Sequence, residues 1–287
     1  MSLPSPIPAL NMANARAVEE HYTRRSLGDT ILSALRGAGK DLEHLTPDDL
    51  APVDEFHSGQ RNATVRLARL AGVSGGEKVL DVGCGIGGPS RFLANEFGCR
   101  VTGLDLTAEF VEVAKMLARR TALADRVGYR QGDALDLPFA DASFELVWCQ
   151  NAAMNIADRD RLYAEMRRVL EPSGRLAIQD VAAGPGGEPY YPTPWAKDKS
   201  ISFLFPPAVT REKLEHAGFR VVAWHDPTAE SLEQALARAK TLEAGTLPPL
   251  GLHILIGPNF PTVSRNMVRN LEEARIQLIN AVLEPVG

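Results

Sequence analysis

Three aspartates and one glycine-rich turn carry the chemistry this sequence advertises. In "LDVGCGIGGPSR" (80–91), Asp81 stands two residues before Gly83, and Gly85, Gly87 and Gly88 follow. An apolar run precedes the glycines and a helical pattern follows them. Glycines let the backbone turn tightly and let a ligand approach it. The turn therefore reads as a nucleotide-like site at the carboxyl edge of a sheet. Dinucleotide folds use such a turn for pyrophosphate, aided by a helix N-terminus. Asp81 opposes that use, because like charges about 4 Å apart repel by on the order of 4 kcal/mol even at a high effective dielectric.

A cationic, phosphate-free ligand of nucleoside shape suits the acid better. S-adenosylmethionine is such a ligand, with an ammonium, a sulfonium and a ribose. Asp105 ends the next strand candidate, where a carboxylate can accept from two ribose hydroxyls, and Asp133 in "QGDA" ends the third. There it can receive an adenine amino group, with the N–H of Ala134 beside it. A nicotinamide cofactor would also want Asp105, so that residue alone does not discriminate. Any single strand-end Asp can simply close a turn; three in succession around a glycine loop make the stronger pattern.

The elements that must position these residues follow from periodicity. Strand candidates are 78–82, 100–106, 126–133, 144–150 and 174–181, with helices at about 88–97, 108–121 and 158–170. This alternation predicts a parallel sheet with helices on both faces, and continuous apolar strands fit burial on both sides. Upstream, residues 1–12 are proline-rich and read as loosely packed. A helical pattern spans 14–40, Thr46 before Pro47 reads as the cap of a short helix, and 61–73 is helical. After 181 the rhythm breaks into a Gly-, Pro- and aromatic-rich segment, about 182–208, of the kind that forms lids. Beyond it lie a helix capped by Thr210, strands at 220–226 and 250–257 with a helix at about 228–244 between them, and a closing helix at about 262–283. Residues 1–60 read as a helical extension and 61–287 as the ligand-binding domain.

The 287 residues are 45% hydrophobic and 23% charged with a net charge of −5, which argues against nonspecific nucleic-acid binding. Cys84, Cys99 and Cys149 form no metal or disulfide pattern. The start lacks the features of a signal peptide and no run approaches a membrane span, so a cytoplasmic protein is expected. The helices at both ends offer surfaces for a homodimer.

"VLDVGCGIGGPSRFLA", "VTGLDLT", "GDALDLPFADASFELVW" and "EMRRVLEPSGRLAIQDV" resemble the successive motifs of class I S-adenosylmethionine-dependent methyltransferases over about 75–182. "EFHSGQRNAT" and "AAMNIADRDRLYAEMRRVL" resemble the bacterial branch near sarcosine/dimethylglycine methyltransferases and, more distantly, quinone C-methyltransferases. The resemblance implies a Rossmann-like, seven-stranded, mostly parallel sheet with its last strand antiparallel beside the fifth. It implies that Gly83, Cys84, Gly85 and Gly87 line the methionine moiety with Asp81 near its amino group. Asp105 and Leu106 would hold ribose and flank adenine, Asp133 and Ala134 would read the adenine edge, and Gln150 would approach from the other side. The branch leads one to expect a histidine at 151, where this chain has Asn151.

Methyl transfer from a sulfonium is an in-line displacement, so positioning dominates; an oxygen or carbon acceptor also wants a base. His57, His225 and Asn151 are the candidates for that role, and none is assigned it. His253 reads as a packed strand residue. Met154, Asn155, Tyr191, Trp195 and Phe203 are candidates for an acceptor pocket, with Tyr190 and Phe205 adding aromatic surface that can hold alkylammonium groups. The favoured acceptor is a small amine such as a glycine derivative. The alternatives are C- or O-methylation of a quinone-type or natural-product acceptor, a dinucleotide-dependent oxidoreductase, and a cofactor-binding protein without catalysis. No metal is expected.

Overall fold

The computed structural model describes residues 9–24, 26–243 and 247–286. Four helices come first: α1 (Ala9–Tyr22), α2 (Leu27–Gly37), α3 (Pro47–Asp54) and α4 (Gln60–Leu70). The expectation for residues 1–8 lies outside the described residues, whereas residues 9–12 begin α1 rather than lying loose. Thr46 does cap α3: its hydroxyl accepts from the Asp49 N–H while the Asp49 carboxylate accepts from the Thr46 N–H, a reciprocal capping box.

The alternating segment then gives β1 (Lys78–Val82), α5 (Gly88–Phe97), β2 (Arg100–Asp105), α6 (Ala108–Arg120), β3 (Val127–Gln131), β4 (Phe144–Gln150), α7 (Arg159–Val169) and β5 (Leu170–Ala183). Neighbouring side chains on these strands go to opposite faces. Val79 and Trp148 pack with Leu67, Leu93 and Ala114 from α4, α5 and α6. Leu80 and Val147 pack with Leu162 and Met166 from α7. Both faces are buried, which is why the strands read as unbroken apolar runs.

The remaining elements are α8 (Pro207–His216), β6 (Phe219–His225), α9 (Thr228–Glu243), α10 (His253–Ile256), α11 (Phe260–Glu272) and β7 (Ile276–Pro285). The sheet order is β3-β2-β1-β4-β5-β7-β6. β7 runs antiparallel between β5 and β6, so the seven-stranded Rossmann-like sheet with an antiparallel last strand is as the resemblance implied. Its last strand is another segment, however. Residues 250–257 form α10 and its flanks instead of a strand, and the expected closing helix stops at Glu272 so that 276–285 can pair. His253 consequently sits half-buried at the start of a short helix, edge-on to Phe260. Thr210 lies inside α8, whose first turn is opened by Pro206 and Pro207. No helix among the described residues is long and apolar enough to cross a membrane.

One buried ion pair joins the sheet to everything above it. Asp180 on β5 accepts from Arg159 Nη1 at 2.9 Å, and its other oxygen accepts from the Met154 N–H at 3.1 Å. Arg159 also donates to the carbonyls of Ile156 and Phe203 and to the Tyr163 hydroxyl. Removing one partner of a buried pair leaves an uncompensated charge, at about 3–5 kcal/mol. Arg159→Leu is therefore expected to lower the urea midpoint of unfolding steeply, and adding Asp180→Leu should recover much of the loss. A single variant as stable as the wild type would show that the pair does not hold this region.

Candidate active site

The turn after β1 is built around close backbone contacts. Gly83 has φ +73° and Gly87 φ +84°. The N–H groups of Gly83 and Cys84 both donate to the Leu104 carbonyl, at 2.8 and 3.1 Å. A Cβ on Gly83 would collide with Ala152, and one on Gly87 with the Tyr129 hydroxyl. At Gly85 a Cβ would meet nothing within 4 Å, because that face opens onto a cleft. Cys84 lines the cleft with a buried thiol whose pKa burial pushes well up, so it is no nucleophile.

The strand-end acids surround this turn. Asp81 is buried, accepts from the Ser90 hydroxyl at 2.6 Å, and is pushed up to about 7 by desolvation, with Asp105 and Glu55 adding to the shift. Asp105 accepts from the N–H of Gly85 at 2.8 Å and of Thr107 at 2.9 Å, and burial raises its pKa too. Asp133 accepts from the Leu135 N–H at 2.9 Å, so it closes a turn while its side chain lines the cleft. Among the described residues none of the three forms an ion pair. Asp54, close by, faces Arg91 at 2.7 Å.

A buried polar chain closes the opposite wall. Trp148 Nε1 donates to Gln150 Oε1 at 3.1 Å, Gln150 Nε2 donates to Gln179 at 2.7 Å, and Gln179 donates to the Ser58 carbonyl at 2.6 Å. Thr64 joins this chain to Glu55, donating at 2.6 Å. His57 Nε2 lies 3.0 Å from the Gln60 carbonyl and 3.0 Å from the Thr64 hydroxyl. A carbonyl only accepts, so Nε2 carries the proton and Nδ1 is left as the lone-pair nitrogen. Desolvation brings the imidazole pKa down to about 4, so it is neutral at physiological pH.

The cleft spans about 1240 Å³ of empty space, part of it open to solvent. The expected cofactor-site residues all line it except Gly87, which turns the chain into α5 from behind. His57 and Asn151 line both the cleft and a neighbouring cavity of about 650 Å³. His225 is exposed, near Glu230, and lines neither. Met154 and Trp195 line the neighbouring cavity. Asn155 lines the cleft, yet its amide is committed to Tyr22, Trp195 and Ile201. Tyr191 and Phe203 line neither space; Phe203 serves through its backbone, donating to the Met154 carbonyl at 2.8 Å. Tyr190 is sandwiched by Arg269 and Arg275, and Phe205 stacks with Arg159 and Lys213.

A methyltransferase-domain family model matches residues 80–178, from the glycine turn to β5. The chain carries a class I S-adenosylmethionine-dependent methyltransferase domain. The chain is 42% identical over 173 residues to the methyltransferase GfsG of Streptomyces halstedii, covering 59% of each chain. It is 35% identical over 143 residues to the 27-O-demethylrifamycin SV methyltransferase of Amycolatopsis mediterranei, covering 50% of this chain and 52% of that one. It thus spans about half the length of the curated relatives it matches. Among solved structures, geranyl diphosphate C-methyltransferase from Streptomyces coelicolor shares the fold with a TM-score of 0.70 at 20% identity, over 99% of this chain and 100% of the other.

Sequence reasoning missed several walls of the cleft. Tyr22 on α1 reaches the cleft and packs against Phe56 and Phe110; a lone tyrosine at a helix end gives no such signal. Asp54, also on the wall, ends the short helix that Thr46 caps, and no motif marks it. For the histidine the expectation is concrete. In an NMR titration the His57 ring should begin to protonate only below about pH 5, whereas exposed His44, pulled up by Asp41 at 2.9 Å, titrates above the ordinary value. A His57 midpoint near 6.5 would contradict the buried, donor-committed geometry.

Proposed function

We propose that the protein uses S-adenosylmethionine to methylate a small-molecule acceptor with a largely apolar body. The carrying observation is the set of Asp81, Asp105 and Asp133 around one cleft, with no ion-pair partner among the described residues. Such a site repels a diphosphate and attracts a ligand bearing an ammonium, a sulfonium and hydroxyl donors. Two more acceptors support the fit: Oδ1 of Asp54 and Oδ1 of Asn151 are buried without a hydrogen-bond partner among the described residues, on side chains that line the cleft. A buried unsatisfied acceptor costs about 1–3 kcal/mol, which a ligand donor relieves.

On this reading Asp105 and Leu106 hold the ribose and one adenine face, while Asp133 and the Ala134 N–H take the adenine edge. Asp81, Gly83, Cys84 and Gly85 surround the methionine part, with Gln150 opposite. When bound, S-adenosylmethionine supplies an electrophilic methyl group on a sulfonium, with a neutral thioether as leaving group. The chain's task is to align the acceptor and keep water out, worth up to ~7–11 kcal/mol. Tyr22, Phe56 and Phe110 supply the apolar cover.

The motif resemblance favours an amine acceptor, and an amine can reach the site already neutral. The geometry of His57 favours a hydroxyl instead. Its neutral ring keeps Nδ1 free to take a proton from an oxygen nucleophile, and it lines the wall shared by both spaces. Release of S-adenosylhomocysteine from matched phenol and amine acceptors, with wild type and His57→Phe, decides between them. The hydroxyl reading expects turnover of phenols and its loss in the variant; amine turnover that survives the substitution favours the alternative.

Two measurements test the donor site. Asp105→Ala should weaken S-adenosylmethionine binding in calorimetry by tenfold or more, with an unchanged circular-dichroism spectrum; unchanged affinity would remove the ribose contact. For Asp81 the folded pKa lies above the ordinary carboxylate value. Ionising it therefore costs the free protein stability as pH rises from about 4 to about 7. A cationic ligand favours the ionised form, so affinity should rise with pH up to about 7 and then level. Asp81→Asn should flatten that profile, and a flat wild-type profile would refute the contact.

A further inference from the structure

The cavity of about 650 Å³ beside the cleft holds a cation that the donor site does not need. Arg238 on α9 is half-buried and lines this cavity with Ser58, Gln234 and Ser231. Buried arginines elsewhere in the fold face carboxylates: Arg91 meets Asp54 at 2.7 Å and Arg159 meets Asp180 at 2.9 Å. Arg238 makes one hydrogen bond, from Nη2 to Gln60 Oε1 at 3.2 Å, and no carboxylate among the described residues lies within ion-pair distance. A guanidinium has five N–H donors in a fork that matches a carboxylate, and the remaining donors of this one meet no acceptor among the described residues. Burial works against its charge, and no carboxylate among the described residues offsets it. The remaining walls are apolar: Met154, Trp195, Met267 and Leu271. Tyr22, Phe56, His57 and Asn151 belong to both spaces, so a molecule lying here can present one end to the donor site.

We infer that Arg238 is a specificity-determining anion subsite, and that the acceptor carries a carboxylate or other anionic group at the end remote from the methylated atom. The inference rests on the methyltransferase reading and adds the acceptor class to it. The apolar walls take the body of the molecule, Arg238 takes its charged end, and the reacting atom falls on the His57 and Asn151 side.

The test uses full-length protein saturated with S-adenosylhomocysteine and matched probes: 4-hydroxycinnamate against 4-hydroxycinnamamide, and decanoate against decanamide. Calorimetry should show the anionic member of at least one pair binding tenfold or more tighter than its neutral partner. Arg238→Met should reduce that preference to within twofold, and Arg238→Lys should retain part of it, with S-adenosylhomocysteine affinity and thermal unfolding as in the wild type. The inference is overturned if no anionic probe binds, if the amides bind as tightly, or if the preference survives in Arg238→Met. Failure of wild type to bind S-adenosylhomocysteine would instead overturn the methyltransferase reading on which it rests.

Discussion

A single carboxylate at the edge of β5 holds the upper half of this molecule in place. Asp180 is buried at the point where the sheet ends, and a bare charge there would be expensive. It is matched by Arg159, which reaches in from α7, and by the N–H of Met154. Because Arg159 spends its other donors on the carbonyls of Ile156 and Phe203, one charge pair fixes three stretches of chain at once. These are the turn after β4, the start of α7, and the long connection after β5. The positions of Asn151, Met154 and Asn155, and so the wall shared by cleft and cavity, depend on it.

Charge is segregated around that wall. On the glycine-turn side the acids stand close together with no ion-pair partner among the described residues, and burial raises the pKa of both Asp81 and Asp105. Across the wall the Arg238 guanidinium meets Gln60 and no carboxylate among the described residues. Between them lies a buried amide and hydroxyl chain from Trp148 to Ser58 in which each named link is satisfied. A satisfied network of this type is stiff, and it holds His57 in one tautomer.

The first five strands, the glycine turn and its three acids were legible because each carries a local signal: apolar runs, glycine clusters and acids at strand ends. The C-terminal third was not. "LGLHILIG" has the β-branched, apolar look of a strand, but only four of its residues form a helical turn, between proline- and glycine-containing bends. The boundary between α11 and β7 was hidden for a different reason. Helices commonly end on a glycine in the left-handed region, whereas here Ala274 adopts φ +49°. With no glycine to mark the stop, the helical pattern reads straight through into the strand. The proposed acceptor side was equally opaque: Arg238 on a helix looks like an ordinary solvated charge, and the fold half-buries it beside Gln60. Donor chemistry is written in contiguous motifs, while acceptor chemistry is assembled from single residues far apart in the chain.

The position of β7 has a consequence for how the molecule comes into being. It fills the gap between β5 and β6, so residues 226–275 must be synthesised before either neighbour gains that partner. During translation β1 to β5 can assemble with α5, α6 and α7 while β5 still exposes one unpaired edge and β6 has nothing to pair with. An open apolar edge is a template for wrong pairing, and long-range strand insertion is slow. The glycine turn and its acids can thus be in place early on the ribosome, and the far side of the sheet is sealed only at the end.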